Sequence, residues 1–331
     1  MLALTANAAD TADPKKPVYA TLESLDKRFD ALIEPDTKIE KIADDLQWSE
    51  GPLWDARTQT LLFSDIPRNR VMQWHAEKGV SVFLERSGYT GAAPFTGREP
   101  GSNGLTFDAQ GRLTLCQHGD RRVSRREADG TVVPLATHYD GKRLNSPNDL
   151  VYDDKGALYF TDPPYGLPKT FEDPEKELPF QGVYRVGKDG KVTLLTKELE
   201  RPNGLAFSPD YQTLYVAQSK VEAPIWMAYP VKTDGTLGAG RVFADSKKLY
   251  KPGDGVPDGL KVDVKGNVFA TGPGGVLVYA PDGTLLGRIL TGVPTANVAF
   301  GEDGSTLFIT ANHRVLRLQT RTQGVPLPAA P

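Results

Sequence analysis

The chain has 331 residues, a net charge of −3 and 39% hydrophobic residues, enough to bury a large core. No apolar run of about 18 residues is present to span a membrane, and no Lys/Arg run gives an electrostatic footprint for nucleic acid, so neither is expected as a partner. Cys116 is the one cysteine, which excludes an intrachain disulfide and a zinc site of the Cys/His type.

Taken in chain order, Met1–Asp10 (MLALTANAAD) has a short apolar start and an Ala-x-Ala-like ending at Ala6 and Ala8. Two readings stand for it. It is either the clipped tail of a secretory signal, which would place the protein in the periplasm or outside the cell, or an ordinary start of a cytoplasmic chain. Residues 1–36 hold few large apolar side chains apart from a short helix expected around Leu22–Leu32, and form a lead-in expected outside the main fold.

A repeat then runs through residues 37–320, leaving 321–331 as a tail. The segment Glu50-Gly-Pro-Leu-Trp-Asp is followed by TLLFSD, and Asn103-Gly-Leu-Thr-Phe-Asp by RLTLCQ. Asn148-Asp-Leu-Val-Tyr-Asp precedes ALYFTD, and Asn203-Gly-Leu-Ala-Phe-Ser precedes TLYVAQ. Asp258-Gly-Leu-Lys-Val-Asp with NVFATG, and Asn297-Val-Ala-Phe-Gly with TLFITA, complete the set. Cys116 falls in the alternation of Leu113 and Leu115 and is expected as a small buried side chain. Between paired runs, turns such as Asp-Ala-Gln-Gly and Asp-Asp-Lys-Gly put glycine where a hairpin needs positive φ. The repeat spacing of roughly 40–55 residues suits a four-stranded blade. Six copies predict an all-β chain, a six-bladed β-propeller whose closure buries the apolar face each unit would expose alone. The last repeat supplies only three strands. The period-2 segment Lys38–Ala43 is therefore expected as its outer strand, pairing the two ends of the chain and removing a free edge.

The residue leading each inner strand carries the chemistry. Glu50, Asn103, Asn148, Asn203, Asp258 and Asn297 share one register, and six-fold pseudo-symmetry turns a register into a ring at one mouth of the channel. Singly, an Asn or Asp here is also a turn cap. As a set of carboxylates and amide oxygens without thiol or imidazole, they suit a hard cation: Ca²⁺ first, then Mg²⁺. Glu50 and Asp258 supply the charge, followed by Asn203 and Asn148, then Asn103 and Asn297.

WSEGPLWD (48–55), LNSPNDLVYDDKGALYFTDPPYG (144–166), RPNGLAFSPD (201–210) and PDGLKVD (257–263) resemble the signatures of the SMP-30/gluconolactonase/LRE family over about residues 37–320. The resemblance implies a six-bladed propeller with one divalent cation, Ca²⁺ or another such as Mg²⁺, Mn²⁺ or Zn²⁺. Its ligands map to Glu50, Asn203 and Asp258, with Asn148 as a further ligand or substrate contact. It also implies hydrolysis of sugar lactones, or of organophosphates in some relatives. CQHGDRR (116–122) and TDPPYG (161–166) are most similar to the bacterial and plant gluconolactonase branch. The substrate-binding Arg of animal members maps to Ser146, and Arg143 is the nearby alternative.

With no Gly-x-Ser-x-Gly elbow in the chain, the expected chemistry is polarisation of a lactone carbonyl by the cation, with Asp258 as general base toward water or as direct nucleophile. Asn103, Asn148 and Asn297 are expected to orient substrate oxygens, and His118, Arg143 and Tyr165 are further contact candidates. Trp48, Trp54 and Trp74 are expected in the blade core. Two other readings keep the fold: a phosphotriesterase using the same ion, with loops 86–101 and 169–182 setting specificity, or a non-catalytic scaffold presenting its faces to protein partners.

Overall fold

The computed structural model describes residues 17–327. Six antiparallel sheets form blades that run outward from the axis in chain order, except that N-terminal strands complete the outer edges of blades five and six, and His138–Tyr139 pairs with Lys142–Arg143 in a separate hairpin. Blades one to five span 49–85, 102–136, 150–196, 202–245 and 260–290. Blade six takes Asn297–Gly301, Thr306–Ala311 and Arg314–Gln319 from the C-terminal end and Glu40–Ala43 from the N-terminal end. In that closure Glu40 lies opposite Arg317 and Lys41 opposite Leu316, and Arg317 Nε donates to Glu40 Oε2 at 2.9 Å. The propeller and its mode of closure are as the repeat requires.

What holds the ring is apolar packing between neighbours. Leu53, Leu62 and Val71 of blade one pack on Leu105, Phe107 and Leu115 of blade two. The same pattern bridges blades two and three, three and four, four and five, and five and six. Phe63 and Trp74 meet Phe308 and Val315 where blade one joins blade six. Cys116 is fully buried in the seam between blades two and three.

The N-terminal segment departs from expectation. Thr21–Ser24 adds a fifth strand to blade five, with Thr21 opposite Leu290. The helix expected around Leu22–Leu32 is a single turn, Lys27–Asp30, capped by Asp26, whose carboxylate accepts the Arg28 N–H at 2.9 Å. The first half of the expected helix pairs as a strand, because the edge of blade five offers ladder partners that an isolated helix lacks. Phe29, Leu32 and Ile33 are buried in the seam between blades five and six. From Thr21 on, the lead-in therefore belongs to the fold. The tail folds back as well, through a bridge between Asp263 and Gly324 and a hydrogen bond from Thr322 Oγ1 to Asp263 Oδ2 at 2.8 Å. Met1–Asp10, with the secretory reading, lies outside the described residues. Among the described residues no helix is long and apolar enough to cross a membrane.

Candidate active site

The inner strands bring their leading residues to one mouth, and glycine is the reason they fit. Gly51, Gly104, Gly204 and Gly259 each follow a ring residue. A Cβ on any of them would collide with the next blade, at Asn103, at Asn148 and Asp149, at Asp258 and at Asn297 respectively. Successive ring residues are therefore nearest neighbours around the axis. Hydroxyls of the second strands tie the blades together at this level. Ser64 Oγ donates to Asn103 O at 2.9 Å, Thr161 Oγ1 to Asn203 O at 2.7 Å, and Thr271 Oγ1 to Ala296 O at 2.9 Å.

A cavity of about 260 Å³ opens here, lined by Glu50, Asn103, Asn148, Asn203 and Asp258 together with Trp48, Glu99, Tyr165, Arg201 and Ser219. Glu50 is almost fully buried, and its Oε2 accepts the Gly51 N–H at 2.6 Å and Asn297 Nδ2 at 3.1 Å. Burial and the charge of Asp149 push the Glu50 carboxyl up to about 7. Enclosure among protein atoms, then the charges of Glu50 and Asp149, hold the Asp258 carboxyl well above the usual carboxylate range. Opposing this, the positive charge of Lys261 acts on Glu50. Asn103 Oδ1 and Asn148 Oδ1 are buried and accept no hydrogen bond, whereas buried polar atoms ordinarily find partners. Asn203 spends its Nδ2 on Ser219 Oγ at 2.8 Å, which leaves its amide oxygen available.

These features fit a hard cation: mutually repelling carboxylates and amide oxygens lacking donors. Among the described residues no three His, Cys, Asp or Glu side chains close into a ready-made cage, so an ion here would rest on amide oxygens as well as carboxylates. Asn297 belongs to the ring by position but faces the carboxylates. Its Nδ2 also lies 3.4 Å from Asp149 Oδ2, and its Oδ1 accepts the Val298 N–H at 2.9 Å. It bridges Glu50 and Asp149 and does not line the cavity.

The other sequence candidates divide. Tyr165 lines the cavity, its ring edge-on to Phe171 at 6.0 Å. His118 is fully buried beneath the mouth, with Nδ1 3.0 Å from Glu99 Oε2. Arg143 lines an adjoining cavity of about 340 Å³ with Arg121 and Lys169, and its Nη2 donates to Asp120 O at 3.0 Å. Ser146 is buried, its Oγ donating to Pro163 O at 2.7 Å and accepting the Gly166 N–H at 2.8 Å. Trp54 and Trp74 pack on Phe308 as core side chains, but Trp48 lines the cavity, contrary to expectation.

Three residues in or beside the mouth escaped the sequence reading. Asp149 stands where four other repeats carry glycine, and that break in pattern was its signal. Glu99 comes from the aperiodic loop 86–101 and Arg201 from the residue pair ahead of Asn203, where nothing in the repeat marks them.

Residues 48–313 match the SMP-30/Gluconolactonase/LRE-like region. The chain belongs to that family. Among family relatives, a gluconolactonase of Zymomonas mobilis is 43% identical over 305 residues, covering 90% of this chain and 85% of the relative. A pentonolactonase of Haloferax volcanii is 30% identical, covering 79% of this chain and 80% of its own. In structure, a gluconolactonase of Xanthomonas campestris superposes with a TM-score of 0.78 at 35% identity, over 93% of this chain and 99% of that one.

Proposed function

We propose that this protein hydrolyses lactones of sugar acids with the help of a divalent cation, Ca²⁺ by preference, held by Glu50, Asn203 and Asp258 with Asn148 beside them. The observation that carries the reading is the polar mouth itself: carboxylates raised by burial and mutual repulsion beside amide oxygens without donors, in a chain whose relatives include lactonases. When bound, such an ion supplies positive charge where a carbonyl oxygen becomes an oxyanion. Asp258, partly open to the cavity, is the base that takes a proton from the attacking water. Asn103 and Asn148 present amides toward substrate oxygens, Tyr165 and Trp48 give flat walls for a sugar ring, and Asn297 keeps Glu50 oriented through its 3.1 Å bond.

A strained cyclic ester needs less assistance than an amide, which suits a carboxylate as base. The test is a pH-indicator assay on a panel of sugar and simple aliphatic lactones, with and without EDTA. Ring opening that is lost in chelator and restored by Ca²⁺ is expected. Turnover that survives both EDTA and Asp258→Ala overturns the reading.

A further inference from the structure

Opening a lactone releases an alkoxide, which leaves well only as it receives a proton. Asp258, once it holds the proton taken from water, is one candidate donor, and among the described lining residues Glu99 is a second, a carboxyl group that stands outside the ring. Glu99 lines the same cavity as Asp258 and Tyr165. Its side chain is 32% exposed, so solvent reaches it. The backbone around it is anchored on two sides. Gly101 N–H donates to Ile66 O of blade one at 3.0 Å, and His118 N–H donates to Gly101 O at 3.2 Å.

Behind Glu99 lies His118, fully buried, with neither ring nitrogen in an aligned hydrogen bond. Among the described residues, its one recorded ring contact with a polar side chain is Glu99, with Oε2 3.0 Å from Nδ1. Gly166 makes the space for it, since a Cβ there would strike the His118 side chain. A completely enclosed imidazole with a single carboxylate for company is costly as packing alone. As a proton store behind an acid, it has a purpose, and such contacts are often misaligned before substrate binds.

We propose that Glu99 is the catalytic acid for the leaving ring oxygen, with His118 as its positioning residue and proton reserve. The inference rests on the lactonase reading and adds the leaving-group half of the reaction. Water oxygen bonds to the carbonyl carbon as its proton passes to Asp258. The bond between that carbon and the ring oxygen then breaks, its electron pair staying on oxygen, which takes the proton held by the Glu99–His118 pair. The pair regains a proton from solvent at the open mouth, Asp258 releases one, and the product is the hydroxy acid.

The test compares two leaving groups in the full-length protein: δ-valerolactone, which departs as an alkoxide, and dihydrocoumarin, which departs as a far more stable phenoxide. Glu99→Gln is expected to lower kcat on δ-valerolactone by about 10²-fold, with a loss on dihydrocoumarin at least ten times smaller and an unshifted melting temperature. Glu99→Asp, which keeps an acid, recovers part of the first loss. His118→Gln is expected to give a smaller loss with the same leaving-group selectivity. Equal losses on both substrates, or no loss on either, overturn the assignment of Glu99. A lowered melting temperature without selectivity overturns that of His118. A wild-type protein that opens neither lactone refutes the lactonase reading beneath the proposal.

Discussion

At one end of the inner strands stand Glu50, Asn103, Asn148, Asn203 and Asp258 around a cavity of about 260 Å³. Two or three residues further along the same strands, Leu53, Thr106, Val151, Ala206, Lys261 and Ala299 line a second cavity of about 580 Å³, which Val325 and Leu327 of the tail help to close. The larger space has the more apolar lining, with Lys261, Glu302 and Asp303 as its charged members, and Lys261 Nζ donates to Leu260 O at 3.1 Å. The contrast separates volume from chemistry. Under the proposed function, the chemistry belongs to the convergent polar groups of the smaller cavity, whose amide oxygens the protein leaves unsatisfied.

The sharpest way to break this contrast is substitution at each end. Asp258→Ala is expected to lower kcat/KM for lactone hydrolysis by at least about 10³-fold, whereas Val151→Ala at the other end should stay within about twofold. Comparable losses at both ends would dissolve the distinction. Chelation comes next. EDTA should reduce turnover by about 10²-fold or more and lower the melting temperature, and Ca²⁺ should reverse both, since an ion that binds only the folded ring stabilises it by mass action.

A third test asks whether burial of carboxylates near the polar mouth has its expected thermodynamic sign. Burial raises the Asp162 carboxyl from its ordinary value near 3.8 to about 7. A raised folded value means a contribution to stability that is complete below pH 3.8 and is lost as pH climbs through about 7. Asp162→Asn removes that dependence. In urea titrations the variant should gain on the wild type between pH 4 and pH 8, by on the order of 4 kcal/mol. A gap that stays constant with pH would refute the assignment. The smallest effect is at Lys261, whose positive charge acts on Glu50. Lys261→Met should tighten Ca²⁺ binding by a few fold in calorimetry, because a competing positive charge is gone. Weaker binding would show that Lys261 supports the ring instead of opposing its cation.

The propeller was legible because six copies of one strand pattern leave little freedom, and five of the leading residues came out around one cavity because pseudo-symmetry maps register onto a ring. Asn297 shows where that mapping stops. It keeps its place in the ring, yet its amide serves Glu50 and Asp149, a choice set by contacts across the axis that no single repeat encodes. Asp149 was hidden by reading only the leading position. Glu99 was hidden because loop 86–101 has no period, and its relation to His118 exists only once blades one and two are joined. Thr21–Ser24 was missed because four residues of alternation mean nothing until the edge of blade five is there to receive them.

That same segment has a practical consequence for anyone trimming or tagging this protein. The chain leaves the outside of blade five at Ser24, turns through Lys27–Asp30 and reaches blade six at Glu40, so residues 21–43 act as a clasp across one seam. Cutting just before Glu40 would preserve ring closure yet strip the cover from Leu285–Leu290. The bared strand would invite self-association, and a shortened version judged intact by its propeller could still precipitate.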